Sequence, residues 1–309
     1  MTTRRELFPL VAGAAAVAPM AAAAKGPPRA SEPELRRVSY RSERMGAERD
    51  YFVYLPRGFR QQKSWPVILF LHGDGERGDA KADLDYVLCH GPLYEAWIQR
   101  RDLPFVIISP QLPMFGQADD PFFKQRTRSM IPQRAESPPP RPDENTARLD
   151  QPLQGAAPAD PFENGADADT EGWQAIEPEL VAMIDQTVAR FRGDARRVHV
   201  TGLSRGGFGT WHFAARYPEK VAALVPVVGY GHPDLAEPIA KAKLPLWQFA
   251  GGRDPAVPVR QMYSLPNRLE ALGHPQVRFT VHADLGHFTW VRVYGGQDVY
   301  TWMLSHAKT

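Results

Sequence analysis

Val198-His199-Val200-Thr201-Gly202-Leu203-Ser204-Arg205-Gly206-Gly207 is the stretch on which the fold turns. Val198 to Thr201 reads as a buried strand, and Phe208 to Tyr217 reads as a helix. Between them stands G-x-S-x-G, which carries chemical meaning only in a strand–turn–helix setting. The serine occupies a sharp turn that a side chain at either flanking glycine would obstruct. That turn lifts the Ser204 hydroxyl clear of the sheet at a helix N-terminus. There the helix dipole and free backbone N–H groups meet developing negative charge. Ser204 is therefore the candidate nucleophile.

Outward from this stretch the same pattern recurs. Tyr51 to Leu55, Pro66 to Leu71, Phe105 to Ile108, Val221 to Val228, Leu246 to Phe249 and Val277 to Val281 are short apolar runs bounded by turn signals. Continuous runs of this kind suit strands buried on both faces of a parallel sheet. Ile176 to Phe191 carries apolar residues at the three-to-four spacing of one helix face. Gln261 to Leu272 and Val299 to His306 read as further helices. Strands alternating with helices predict an α/β domain whose mostly parallel sheet is covered on both faces. Its ligand crevice is expected at the carboxyl ends of the strands.

A serine hydroxyl requires a base, and in this setting the partners follow in the order serine, acid, histidine. Of His232, His274, His282 and His287, the last lies just beyond the final strand in Asp284-Leu285-Gly286-His287, and it is the candidate base. The acid is expected after Leu246 to Phe249, where Gly251-Gly252-Arg253-Asp254-Pro255 supplies Asp254; Asp284 is its rival. The two oxyanion donors are assigned to the backbone N–H groups of Arg205 and Asp74, with Gly75 as the alternative to Asp74. His72 is expected to hold its loop by hydrogen bonds rather than to react.

The bulk composition narrows the function class. Of 309 residues, 43% are hydrophobic and 23% charged, which is ordinary globular composition. The net charge of +2 and the lack of a basic, aromatic-interleaved run give no reason to expect a nucleic-acid partner. The single cysteine, Cys89, excludes an intrachain disulfide; beside His90 it could be a reactive thiol, but it reads as a small buried helix residue. No zinc-ligand spacing or phosphate loop is visible, so neither a metal nor an organic cofactor is implied.

Residues 1–24 read as an address. Arg4-Arg5 precedes a mild apolar run from Pro9 to Ala24, interrupted by Pro19 and ending in Ala22-Ala23-Ala24 before Lys25. Such a stretch is a removable export signal, of twin-arginine type or a Sec signal with incidental arginines. It is too short to span a bilayer, so no span is expected after cleavage. The mature protein, residues 25–309, is expected to be periplasmic or secreted. Residues 113–172 break the strand–helix rhythm with many prolines, Pro138-Pro139-Pro140 among them, and more acidic than basic residues. They read as an inserted, partly disordered loop whose aromatic start (Phe115, Phe122-Phe123) is placed to touch a ligand.

Together, L-H-G-D-G-E-R-G (Leu71 to Gly78), S-P-Q (Ser109 to Gln111), T-G-L-S-R-G-G-F-G-T-W (Thr201 to Trp211), G-x-x-D-P-x-V-P (Gly251 to Pro258) and G-H-x-x-W (Gly286 to Trp290) resemble a known family. It is that of the secreted esterase-like α/β hydrolases. This is the phospholipase/carboxylesterase and dienelactone-hydrolase-like group, with relatives called predicted peptidases, near the feruloyl and polyhydroxybutyrate esterases. The resemblance implies an α/β-hydrolase fold, a Ser204–His287–Asp254 triad and a small-molecule ester substrate. A serine peptidase acting on short peptides is the alternative, followed by a non-catalytic ligand-binding relative. Two departures stand out: the insert after Gln111, and the charged Arg205 where such enzymes commonly carry an uncharged residue. Arg205 would hold an anionic substrate group or pair with a nearby acid. Phe115, Tyr230 and Trp290 are candidates for the pocket wall or for the core.

Overall fold

The computed structural model describes residues 31–142, 148–150 and 171–308. Its strands are β1 (Glu34–Ser42), β2 (Ala47–Leu55), β3 (Trp65–Leu71), β4 (Val106–Ser109), β5 (Arg148–Asp150), β6 (Gly193–Leu203), β7 (Ala223–Val227), β8 (Leu246–Gly251) and β9 (Val277–His282). Among the described residues they form one nine-stranded sheet in the order β1-β2-β4-β3-β6-β7-β8-β9-β5. From β4 through β9 every neighbouring pair is parallel. Antiparallel pairs close the sheet at both ends. This is the α/β-hydrolase architecture.

Every residue of β3 is buried, and the pleat sends alternate side chains into two separate cores. Val67, Leu69 and Leu71 face one core, and Ile68 and Phe70 the other. The first core is covered by helices Glu177–Arg190, Arg205–Arg216, Ala236–Ala242 and Ser264–Ala271, and the second by Trp290–Gly295 and Asp298–Leu304. Each fully buried aliphatic side chain contributes about 1.5–3 kcal/mol by leaving water. A strand wetted on neither face therefore has no use for a polar residue, which is why β3 reads as unbroken apolar sequence. No helix among the described residues is long and apolar enough to cross a membrane.

The strand order explains where a ligand can sit. From β3 the chain steps outward to β4 and, after the short edge strand β5 beside β9, enters β6 on the other side of β3. The order of winding reverses between β3 and β6, so the loops leaving their carboxyl ends diverge and open a crevice. Those two loops begin at His72 and Ser204.

Two strands lie outside the expected set. Glu34-Leu35-Arg36-Arg37-Val38-Ser39-Tyr40-Arg41-Ser42 forms the edge strand β1, paired residue for residue with β2. Half of it faces water, so its charged residues mask the strand period. Within the insert, residues 148–150 pair antiparallel with β9 at the opposite edge. Through Pro142 the insert is fastened to the body rather than loose. Pro139 and Pro140 offer carbonyls without matching N–H groups, and the Arg101 guanidinium donates to both at 3.0 and 3.2 Å. Arg141 in turn donates to the carbonyls of Gly295 and Gly296. The expected export signal, and the insert beyond Pro142 apart from residues 148–150 and 171–172, lie outside the described residues.

Candidate active site

Ser204 sits between the end of β6 and the first turn of helix Arg205–Arg216, with φ 50° and ψ −118°. A side chain with Cβ at positive φ is strained by about 1–3 kcal/mol, and the surroundings hold it there. The Ser204 N–H donates to the Val227 carbonyl at 3.0 Å, and its own carbonyl accepts from Phe208 N–H at 3.1 Å. The flanking glycines are required by space. A Cβ on Gly206 would stand 1.8 Å from the Leu71 carbonyl oxygen, and one on Gly202 would stand 2.3 Å from that of Gly206. Both obstacles are backbone and cannot swing aside. Gly206→Ala is therefore expected to destabilise by more than about 4 kcal/mol or to prevent folding. Denaturant unfolding of the variant checks this, and near-parental stability would refute the packing described.

The structure brings Ser204, His287 and Asp254 into one hydrogen-bonded line. His287 Nε2 lies 3.0 Å from Ser204 Oγ, and His287 Nδ1 lies 2.7 Å from Asp254 Oδ2. The Asp254 side chain is completely buried. Its Oδ1 accepts from Ala256 N–H at 2.8 Å and Val257 N–H at 2.9 Å, so the carboxylate has one free oxygen and aims it at the imidazole. With Nδ1–H donating to that carboxylate, Nε2 is left as an acceptor for the serine proton. The loops carrying Asp254 and His287 are stitched backbone to backbone, Arg253 N–H donating to Leu285 O and Gly252 N–H to His282 O. Trp290 stands edge-on to the His287 ring at 5.1 Å.

The other histidines are elsewhere. His282 is buried against Phe249, while His232 and His274 accept from local backbone N–H groups. Asp284, the rival acid, is gripped through both oxygens by Arg292. That guanidinium holds its carboxyl down at about 2. His72 is fully buried: Nδ1–H donates to Gly73 O at 2.6 Å and Nε2 accepts from Leu112 N–H at 2.9 Å. Burial pushes its imidazolium form down to about 3, so the ring is a neutral clamp on the loop. Cys89 Sγ lies 3.7 Å from the Met130 carbonyl, and burial pushes its thiol up to about 12. A thiol held protonated in this way is a poor nucleophile.

The loop after β3 approaches Ser204 closely. A Cβ placed on Gly73 would stand 3.6 Å from Ser204 Cβ, which sets the neighbouring Asp74 close to Ser204. Arg205 Nε donates to Asp74 Oδ1 at 2.9 Å, so the side chains of the two expected oxyanion residues pair. Of the two expectations for Arg205, the structure provides the salt bridge. Being partly exposed, it is worth no more than about 1 kcal/mol and acts as a clip on the loop.

The remaining motifs brace this loop. The buried Gln111 amide donates to Glu76 O and Asp83 O and accepts from Ala80 N–H, each at 2.7 Å. Arg77 reaches Pro113 O and Gln117, and Arg126, from the insert, donates to Gly75 O and Arg77 O. Phe122 is 56% exposed with its ring tip 4.0 Å from where a Gly75 Cβ would stand. Phe288, 66% exposed, follows the candidate base and leans on Trp290. The start of the insert thus forms a rim beside the site. Phe115 instead packs beneath Arg44 and Arg77, and Tyr230 against Phe208. The sequence signalled Glu76 and Gln111 only through their motifs; nothing in it marked Arg126, Phe122 as a neighbour of Gly75, or Phe288.

The model of the Esterase family ("Putative esterase") matches residues 42–253. Over 53 residues the sequence is 43% identical to feruloyl esterase B of Neurospora crassa, a match covering 17% of this chain and 18% of that protein. Among solved structures the chain is similar to a thermostable esterase, with a TM-score of 0.59 and 22% identity over 89% of this chain and 63% of that one. It is also similar to the S-formylglutathione hydrolase of Staphylococcus aureus, with a TM-score of 0.55 and 16% identity over 90% and 98% of the two chains. At such identities the structural likenesses carry the fold alone.

Proposed function

This chain belongs to the Esterase family, and from that premise we propose that it is a serine hydrolase of small carboxylic esters acting through an acyl-enzyme. The observation that carries the proposal is the unbroken line Ser204–His287–Asp254 at the N-terminus of a helix. Ser204 Oγ attacks the ester carbonyl while His287 Nε2 takes its proton. The oxyanion is met by the N–H groups of Arg205 and Asp74. Collapse of the tetrahedral intermediate expels the alcohol, which receives the proton from His287. Water then attacks the acyl-enzyme by the same route, and Asp254 stabilises each imidazolium that forms. An ester is favoured over a peptide because an alkoxide leaves more readily than an amine. Export, read from residues 1–24, is part of the same proposal.

The test pairs p-nitrophenyl esters of increasing acyl length with the matching p-nitroanilides, and follows labelling by a fluorophosphonate. Turnover of the esters, none of the anilides, and label on Ser204 are the expected outcome. Anilide turnover at comparable rates would make the protein a peptidase. No label and no turnover in the folded protein would leave a binding role.

A further inference from the structure

One ionisable group beside the proposed nucleophile takes no part in the acyl-transfer steps. Glu76 belongs to the loop after β3, and its side chain is almost wholly buried. A Cβ on Gly73 would lie 3.5 Å from Glu76 Oε2 and 3.6 Å from Ser204 Cβ. The carboxyl and the serine are therefore separated by the width of a single glycine, the residue before Asp74. We propose that Glu76 is a positioning residue that serves the oxyanion loop as a neutral carboxylic acid, and that its ionisation places a negative charge behind the oxyanion and slows acyl transfer. This rests on the proposed hydrolysis at Ser204.

The groups around Glu76 come from each element packed on it. From its own loop, His72 Nδ1 stands 3.8 Å from Oε2, and Asp74 adds a negative charge that opposes ionisation. From the segment after Leu84–Leu88, Cys89 presents a protonated thiol, and His90 Nε2 stands 3.8 Å from Oε1. Burial lowers the His90 imidazolium to about 4, so this ring is neutral as well. From the insert, Arg126 favours ionisation, but its guanidinium is committed to Gly75 O, Arg77 O and Asp83. Neither histidine is a cation at neutral pH. Burial raises the Glu76 carboxyl from the usual carboxylate range to about 7, outweighing the backbone N–H groups of Glu76 and Gly73, which favour the anion, and the smaller pull of Arg126.

The direction of both consequences follows. A carboxyl whose folded-state value is raised contributes stability that is complete at low pH and lost as pH climbs through about 7. Over the same interval the anion appears behind the oxyanion donors. A like charge at that distance in a half-buried site slows the reaction about tenfold or more. The effect falls on kcat, because the oxyanion exists only in the transition state and intermediate.

The experiment measures kcat and KM for p-nitrophenyl acetate by pH-stat across the neutral and alkaline range, for the parent and for Glu76→Gln. The amide keeps the shape of the neutral acid and cannot ionise. The parent is expected to lose about tenfold in kcat on the alkaline side, while Glu76→Gln holds its plateau. The variant should also gain melting temperature relative to the parent above neutrality. Superimposable profiles, or a parent without an alkaline limb, overturn the proposal. If Glu76→Gln does not fold, the parent decides. A neutral-acid ionisation moves to higher pH on adding organic cosolvent, and a limb that stays put overturns the role of Glu76. Ser204→Ala run alongside separates the two ideas. Parental activity in that variant refutes hydrolysis at Ser204, whereas an inactive Ser204→Ala with superimposable Glu76 profiles refutes only this inference.

Discussion

Ser204→Ala lowers kcat on p-nitrophenyl esters by about 10⁴- to 10⁶-fold, with KM little changed. The size follows from what is removed. Without Oγ, His287 Nε2 has no proton to take and no acyl-enzyme forms. The groups that remain, the helix N-terminus and the loop at Asp74, speed direct attack by water only modestly. The fold survives, because alanine keeps the Cβ and so carries the same strain at φ 50°. Both backbone bonds of residue 204, to Val227 and Phe208, are untouched. Kinetics together with a melting curve check the prediction. A folded variant within tenfold of the parent would remove Ser204 from the mechanism.

Asp254→Asn has nearly the same effect for a subtler reason. The residue is isosteric, and its amide oxygen can continue to accept from Ala256 N–H and Val257 N–H. That leaves the NH₂ group facing His287 Nδ1, which must then become an acceptor. The ring shifts to the tautomer with hydrogen on Nε2, so it presents a donor to Ser204 and cannot act as base. A loss of about 10⁴-fold in kcat near neutral pH is the expected result. The matching change at Asp284 is expected to leave kcat within a few-fold, since that carboxylate is held by Arg292 away from the line. If Asp284→Asn proved the more damaging of the two, the acid would have to be reassigned.

The turn at Ser204 was legible because its requirements are local. A serine at positive φ before a helix, with no room for a side chain at Gly202 or Gly206, writes itself as G-x-S-x-G. The buried strands were legible for a related reason. β3 and the end of β6 touch water on neither face, so nearly every position is apolar, whatever packs above it. The position of His287 and Asp254 in the chain followed from strand counting, since each lies in the loop after a recognisable strand. Edge strands escaped notice. β1 is half exposed and rich in arginine, and β5 is a three-residue strand in a proline-rich segment. β1 pairs with its sequence neighbour β2 and is hidden by its exposure, whereas β5 takes its pairing from β9, far along the chain, which local composition does not announce.

By itself, then, the sequence determined the parallel sheet, the strained serine, and the order serine, acid, histidine along the chain. Each of these depends on backbone conformation or on burial repeated at short range, and short-range demands leave a period or a motif. Tertiary structure alone decided that Asp254 rather than Asp284 faces His287, that Arg205 clips Asp74, that Arg126 and Gln111 brace the loop after β3, and that Glu76 stands one glycine away from Ser204. Those contacts join residues tens of positions apart, and they are made by loops and by the helix end that opens at Arg205. Which side chains meet there depends on how the loops pack over the carboxyl ends of β3 and β6, and no periodicity records that packing.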